Sequence, residues 1–242
     1  MFKYNGININ YKDFGNSEGT PIVYLHGWGQ NIEMMEPIAK PFAKTHRLII
    51  LDLPGFGKSD EPDYAWTLED YVDMINSLLK ELKVKKPNLI GHSFGGKLSI
   101  LYASKYPVEK MILLASPFNV KIKSPSKKIQ LLKKVASIPG LGKVAESMKK
   151  HIGSTDYKNA SPLMREVLVK HVNTDLTETA KTIKCPTFII WGTHDEAVPV
   201  EDAYLLESLI KDSGLTIYEN CTHYAYLERL AQTNAIIASF IK

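Results

Sequence analysis

Cysteine is almost absent. Cys185 and Cys221 are the two thiols in 242 residues, and they form neither a disulfide framework nor a metal-ligand spacing. Both are expected to be reduced and mostly buried. No apolar run approaches the roughly 20 residues that cross a bilayer. The start, Met1-Phe-Lys-Tyr-Asn-Gly6, lacks a basic region followed by an apolar core, so no secretory signal is visible. A cytoplasmic location is the expectation. Nothing repeats, and no segment is of low complexity. Positive charge comes without a nucleic-acid-binding motif, so no nucleic-acid partner is expected. What remains is a chain that is 44% hydrophobic, compatible with one sizeable α/β domain.

Charge is unevenly spread. Residues 119–181 carry thirteen Lys/Arg against five Asp/Glu, a net of +8, within a chain whose net charge is +4. That asymmetry marks the middle segment as a separate unit. Its patterning differs too. Helical spacing is read at Ile129–Ala136, Val144–His151 and Leu163–Val172, and no strand-like run appears there.

Elsewhere strands alternate with helices. Phe2–Tyr4 and Ile7–Phe14 are alternating runs joined by Asn5-Gly6, a hairpin signal. Continuous apolar runs at 21–26, 47–53, 110–115 and 186–191, with 215–219 as a last strand, mark buried strands. Helices are expected over Ile32–Phe42, from Thr67 with Asp70 as capping-box partner, over 202–211 and over 227–241. The alternation predicts a mostly parallel sheet with helices on both faces. The +8 segment reads as a helical cap over the sheet's C-terminal edge. The expected division is 1–118 with 182–242 as the α/β core, and 119–181 as the cap.

The run Asn88-Leu-Ile-Gly-His-Ser-Phe-Gly-Gly96 reads as a strand, a sharp turn and a helix continuing from Lys97. Glycines flanking Ser93 let strand and helix backbones pass closely and project the hydroxyl, the pattern of a nucleophile elbow. Two further polar side chains follow predicted strands: Asp195 in Gly192-Thr-His-Asp195, and His223 in Asn220-Cys-Thr-His223. In an open parallel sheet such strand ends gather along the ligand-binding edge. Serine is a poor nucleophile near neutral pH and needs a base, for which imidazole is suited. The imidazole in turn needs a carboxylate to fix its tautomer. His26-Gly27-Trp28-Gly29 ends another strand with backbone N–H groups free to meet an oxyanion; a plain glycine turn explains it equally well. Asp52 is read as structural, bonding nearby loop amides.

Taken together, His26-Gly-Trp-Gly, Asp52-Leu-Pro-Gly-Phe-Gly-Lys-Ser, Gly91-His-Ser-Phe-Gly-Gly, Trp191-Gly-Thr-His-Asp and Thr222-His223 resemble the α/β-hydrolase superfamily over nearly the full chain. The resemblance implies Ser93 as nucleophile, His223 as general base and acid, Asp195 as orienting acid, and the Trp28 and Phe94 N–H groups as oxyanion hole, with no cofactor and no metal. Loop 54–60 matches a loop of the family and is assigned no chemistry. His26 and His92 adjoin the site but do not stand on the last loop, where the family keeps its base. His26 is read as structural support, His92 as packed beside the elbow and His194 as loop-forming. Glu196 competes with Asp195 for the acid. Serine at 93 argues against the dehalogenase and epoxide-hydrolase branches.

The expected activity is cleavage of carboxylic esters, in a small capped carboxylesterase-like member, through an acyl-enzyme. Acyl transfer, lactone hydrolysis, perhydrolysis, carbon–carbon bond hydrolysis and non-catalytic small-molecule binding are the alternatives on the same framework. The Gly-rich run after His26 departs from the carbon–carbon branch. His26-Gly-Trp-Gly-Gln-Asn31 is similar to the run of an esterase branch acting on a carrier-protein-linked methyl ester, whose basic cap meets an acidic carrier. The +8 cap therefore motivates an anionic or carrier-linked substrate. A solvated lysine-rich surface is the competing reading.

Overall fold

The computed structural model describes residues 1–120 and 155–242. The helices expected at Ile129–Ala136 and Val144–His151 lie outside the described residues. Asn5 and Gly6 both take positive φ, 47° and 90°, the backbone that a two-residue hairpin turn demands. They join β1 (Phe2–Tyr4) to β2 (Ile7–Ile9) in a small antiparallel pair. The expectation of one run from Ile7 to Phe14 is corrected here. At Asn10 the chain passes to a second sheet, and β3 (Tyr11–Gly15) pairs antiparallel with β5 (Arg47–Leu51). Partners distant in sequence hold the crossing: the Asn10 N–H donates to Ser59 Oγ at 2.9 Å and its side-chain amide to Asp52 Oδ2 at 2.7 Å.

The larger sheet has seven strands in the order β3-β5-β4-β6-β7-β8-β9, completed by β4 (Pro21–Leu25), β6 (Asn88–His92), β7 (Met111–Leu114), β8 (Thr187–Gly192) and β9 (Ser213–Tyr218). Every pairing from β5 through β9 is parallel. Successive apolar side chains point to opposite faces. Val23, Leu25, Leu89, Leu113 and Ile189 feed one core, while Ile22, Tyr24, Ile90, Ile112 and Ile190 feed the other.

Helices close both faces. On the first lie α2 (Leu68–Glu81) and α3 (Phe94–Lys105), burying Tyr71, Val72, Ile75, Leu98 and Leu101. On the second lies α1 (Ile32–Ala39), which continues as a 3₁₀ turn through Lys40–Phe42 at Pro41, so the single helix expected there is divided. The capping box at Thr67 forms as expected, with the Asp70 N–H donating to the Thr67 hydroxyl and the Thr67 N–H to the Asp70 carboxylate. After the undescribed stretch come α4 (Thr155–Asn159), α5 (Pro162–Asn173) and α6 (Thr177–Ala180). Then follow α7 (Glu201–Leu209) on the first face, and α8 (Ala225–Glu228) with α9 (Leu230–Phe240) on the second. The expected C-terminal helix is thus two helices meeting at Arg229.

Candidate active site

Strand order reverses between β4 and β6. From β4 the chain goes to β5 on one side, and from β6 to β7 on the other. In a sheet of this kind a crevice opens outside the C-terminal ends at that point. The loop after β4 carries Trp28, and the turn after β6 carries Ser93 and Phe94.

Ser93 takes φ 50° and ψ −112°, a conformation that is strained for a residue with a side chain. The surroundings enforce it. The Ser93 N–H donates to the Leu114 carbonyl at 2.9 Å, and the Ser93 carbonyl accepts from the Lys97 N–H at 3.0 Å. Gly91 cannot be larger, since a Cβ there would stand 2.5 Å from both the Gly95 carbonyl oxygen and Ser99 Oγ. At Gly95 a Cβ would collide with the Leu25 backbone of β4. Helix α3 begins at Phe94 rather than at Lys97, with Gly95 and Gly96 inside its first turn, where a Cβ would meet the Leu25 backbone and the Ser116 side chain. Neither Trp28 N–H nor Phe94 N–H has an acceptor among the described residues. Between them the Gly95 N–H donates to the His26 carbonyl at 3.1 Å.

Asp195 and His223 are brought together. His223 Nδ1 lies 2.7 Å from Asp195 Oδ2, and the carboxylate side chain is fully buried. Asp195 Oδ1 accepts the N–H groups of Ala197 and Val198 at 2.9 and 2.8 Å. With Nδ1–H donating to the carboxylate, Nε2 of His223 carries the free lone pair. The two loops are stitched to each other: the His194 N–H donates to the Cys221 carbonyl at 2.8 Å, and the Asn220 N–H to Thr193 Oγ1 at 2.9 Å. Glu196 is exposed on the same loop and does not contact His223 among the described residues. His194 is also exposed.

Each remaining histidine has a definite place. His26 Nδ1–H donates to the Gly27 carbonyl at 2.7 Å, and Nε2 accepts the Leu53 N–H at 2.9 Å. Burial pushes its pKa down to about 4, so the ring is a neutral brace between two loops. His92 donates from Nε2 to the His223 carbonyl at 3.0 Å. Burial, aided by the nearby His223, pushes its pKa down to about 3. Both rings therefore support the site structurally. Asp52 bonds loop amides, accepting the Ile32 N–H at 2.8 Å and the Lys58 N–H at 2.9 Å. From loop 54–60, Phe56 packs edge-on against Trp28 with ring centroids 4.9 Å apart.

Ser93 and His223 line one cavity of about 1000 Å³. Its wall on the α4–α6 side includes Asp156, Tyr157, Leu168 and His171, and Lys97 lines it from the elbow helix. Lys97 and His171 were not singled out from sequence. The signal existed for Lys97: it is the one charge in an otherwise apolar or small stretch from Phe94 to Tyr102, all of which is buried. His171 had no such signal, because its surroundings come from Trp28 and Phe94, far away in sequence. Among the described residues no group of three or more His, Cys, Asp or Glu side chains is arranged to hold a metal ion.

Comparison with known proteins agrees with this topology. The profile of the alpha/beta hydrolase fold matches residues 20–139. A 2-hydroxy-6-oxononadienedioate/2-hydroxy-6-oxononatrienedioate hydrolase of Pseudomonas putida is 26% identical, over 98% of this chain and 92% of its own. A monoacylglycerol lipase of Mus musculus is 27% identical, over 91% of this chain and 75% of its own. The solved structure of an esterase from Exiguobacterium antarcticum superposes with a TM-score of 0.77 at 23% identity, covering 98% of this chain and 96% of that one. With its profile match, its sheet order and its elbow, the chain belongs to the α/β-hydrolase superfamily.

Proposed function

We propose that the protein is a serine hydrolase that cleaves carboxylic esters through an acyl-enzyme. The observation that carries this reading is the fully buried Asp195 carboxylate 2.7 Å from Nδ1 of His223, whose ring lines one cavity with the strained Ser93. His223 Nε2 takes the Ser93 proton as the hydroxyl oxygen attacks the ester carbonyl. The negative charge that develops on the carbonyl oxygen is met by the Trp28 N–H on the loop after β4 and the Phe94 N–H at the start of α3. Collapse of the tetrahedral intermediate expels the alcohol, which leaves with the proton held by His223. Water then repeats the sequence on the acyl-enzyme, releasing the acid and restoring Ser93. Asp195 keeps the imidazole in the reactive tautomer and stabilises the imidazolium without taking its proton.

Residues 119–181 act in this reading as a cap that shapes the acyl and alcohol pockets, supported by the share of the cavity wall that Asp156, Leu168 and His171 supply. The buried, unpaired Cys185 and Cys221 fit a reducing, cytoplasmic setting. The test is a chromogenic ester series of increasing acyl length, run on the wild type and Ser93→Ala together with fluorophosphonate labelling. Turnover and labelling that vanish in the variant support the reading. No turnover of any ester, with no labelling of the wild type, overturns it.

A second reading is carbon–carbon bond hydrolysis on the same residues, favoured by the relative from Pseudomonas putida. A vinylogous diketone that is cleaved faster than every ester would establish it in place of the first.

A further inference from the structure

Lys97 is 1% exposed, yet it lines the cavity. A buried ammonium is costly unless its charge and its three N–H donors are satisfied. Among the described residues Nζ has one acceptor, the His171 carbonyl at 2.8 Å. No carboxylate pairs with it there. The acid whose charge acts on it is Asp175, and that carboxylate is taken by the Val120 and Thr177 N–H groups at 2.9 and 2.8 Å. His171, itself buried, stacks on Trp28 with ring centroids 6.1 Å apart and planes 7° from parallel, and its Nδ1 has no partner among the described residues. Lys97 lies one helical turn beyond Ser93 on α3, and the ring of the His171 that it meets packs against Trp28 and Phe94. The cavity's acidic groups stand elsewhere: Asp156 is on the His223 side, Glu196 is on the Asp195 loop, and Asp202 accepts from Asn119.

We propose that Lys97, walled by His171, is a subsite for a carboxylate at the far end of the substrate's acyl chain. The proposal rests on the ester-hydrolase reading and deepens it. His223 must hand its proton to the departing alcohol, so the alcohol lies at the His223 end, beside Asp156 and Glu196. The acyl chain then runs the other way, toward the ammonium. The natural substrate is thus a half-ester of a dicarboxylic acid, or an acyl group ending in another anion.

A structural account of Lys97 competes. Its ammonium meets a carbonyl in the last turn of α5, where a cation is favourable, and would merely tie that helix to the core. Lys97→Gln separates the two, because the amide keeps an N–H for His171 and removes the charge; Lys97→Met removes both. The experiment compares kcat/KM for the 4-nitrophenyl half-ester of adipic acid with that for 4-nitrophenyl hexanoate. Thermal melting checks the fold of each variant. The wild type is expected to prefer the half-ester, and Lys97→Gln to reduce that preference about 10- to 100-fold, the worth of a charge-assisted hydrogen bond. A ratio that is the same in wild type and Lys97→Gln overturns the proposal, as does an equal loss on both esters with a lowered melting temperature. A second measurement does not need turnover: calorimetric binding of adipate to Ser93→Ala, with and without Lys97→Gln. Binding that Lys97→Gln abolishes upholds the subsite even if no ester is cleaved and the ester reading falls. No adipate binding together with no charge preference refutes it.

Discussion

Replacing Asp195 by Asn tests the proposed acid, and the surrounding hydrogen bonds dictate how the amide must sit. Oδ1 of Asp195 accepts two backbone N–H groups, from Ala197 and Val198. An amide NH₂ in that position would face two donors, so the amide oxygen stays there and the nitrogen turns toward His223. His223 Nδ1 must then accept, which puts the imidazole proton on Nε2. That nitrogen can no longer take the Ser93 proton. Because the loop keeps both of its N–H contacts, stability should fall by no more than about 1–2 kcal/mol. The rate should fall far more, by a factor on the order of 10⁴ as for other triads left with the wrong tautomer, or about 5 kcal/mol of transition-state stabilisation. The assay is kcat on the best ester from the acyl-length series, with thermal melting alongside. A variant within tenfold of wild type would refute the tautomer argument and turn attention to Glu196 on the same loop.

Other outcomes follow from the same contacts. His92→Phe removes the donor to the His223 carbonyl, and kcat should fall about tenfold with KM nearly constant, since one hydrogen bond's worth of positioning is lost; equal effects on both constants would contradict this. Gly95→Ala places a methyl against the Leu25 backbone, and the urea midpoint should show a loss of about 1–3 kcal/mol or more. Buried His26 and His92 titrate near 4 and 3 when folded but near 6.5 when unfolded. Between those values the unfolded chain binds more protons, so the stability these rings contribute is full above about pH 6.5 and is lost progressively as pH falls to about 4 for His26 and about 3 for His92. Denaturation midpoints that do not drop between pH 7 and pH 5 would contradict it.

How much of this was legible in the sequence depended on how local the cause was. Asn5-Gly6 and Thr67 with Asp70 carry their turn and their cap within a few residues, and both formed as read. The elbow was legible for the same reason, because Gly91, Ser93, Gly95 and Gly96 answer one another over a single turn. The start of α3 was not legible: the sequence pattern places the helix from Lys97, while Gly95 and Gly96, packed against the Leu25 backbone and the Ser116 side chain, already belong to it. The passage between sheets at Asn10 was invisible, since alternation runs on through it and the holding groups, Asp52 and Ser59, lie more than 40 positions away. Lys97 belongs to the same class. Its meaning depends on the His171 carbonyl, which only the packing of α5 brings near.

The adjacency of β4 and β6 has one more consequence. The two proposed oxyanion donors follow neighbouring strands, joined by the Gly95–His26 hydrogen bond at 3.1 Å. The strands that carry them are paired, so the two loops spring from points set by the interval between neighbouring strands, about 4.8 Å in any sheet. A spacing of that origin is insensitive to insertions elsewhere in the chain. Chain length and sequence elsewhere around the cavity can drift while the two strand ends keep their gauge.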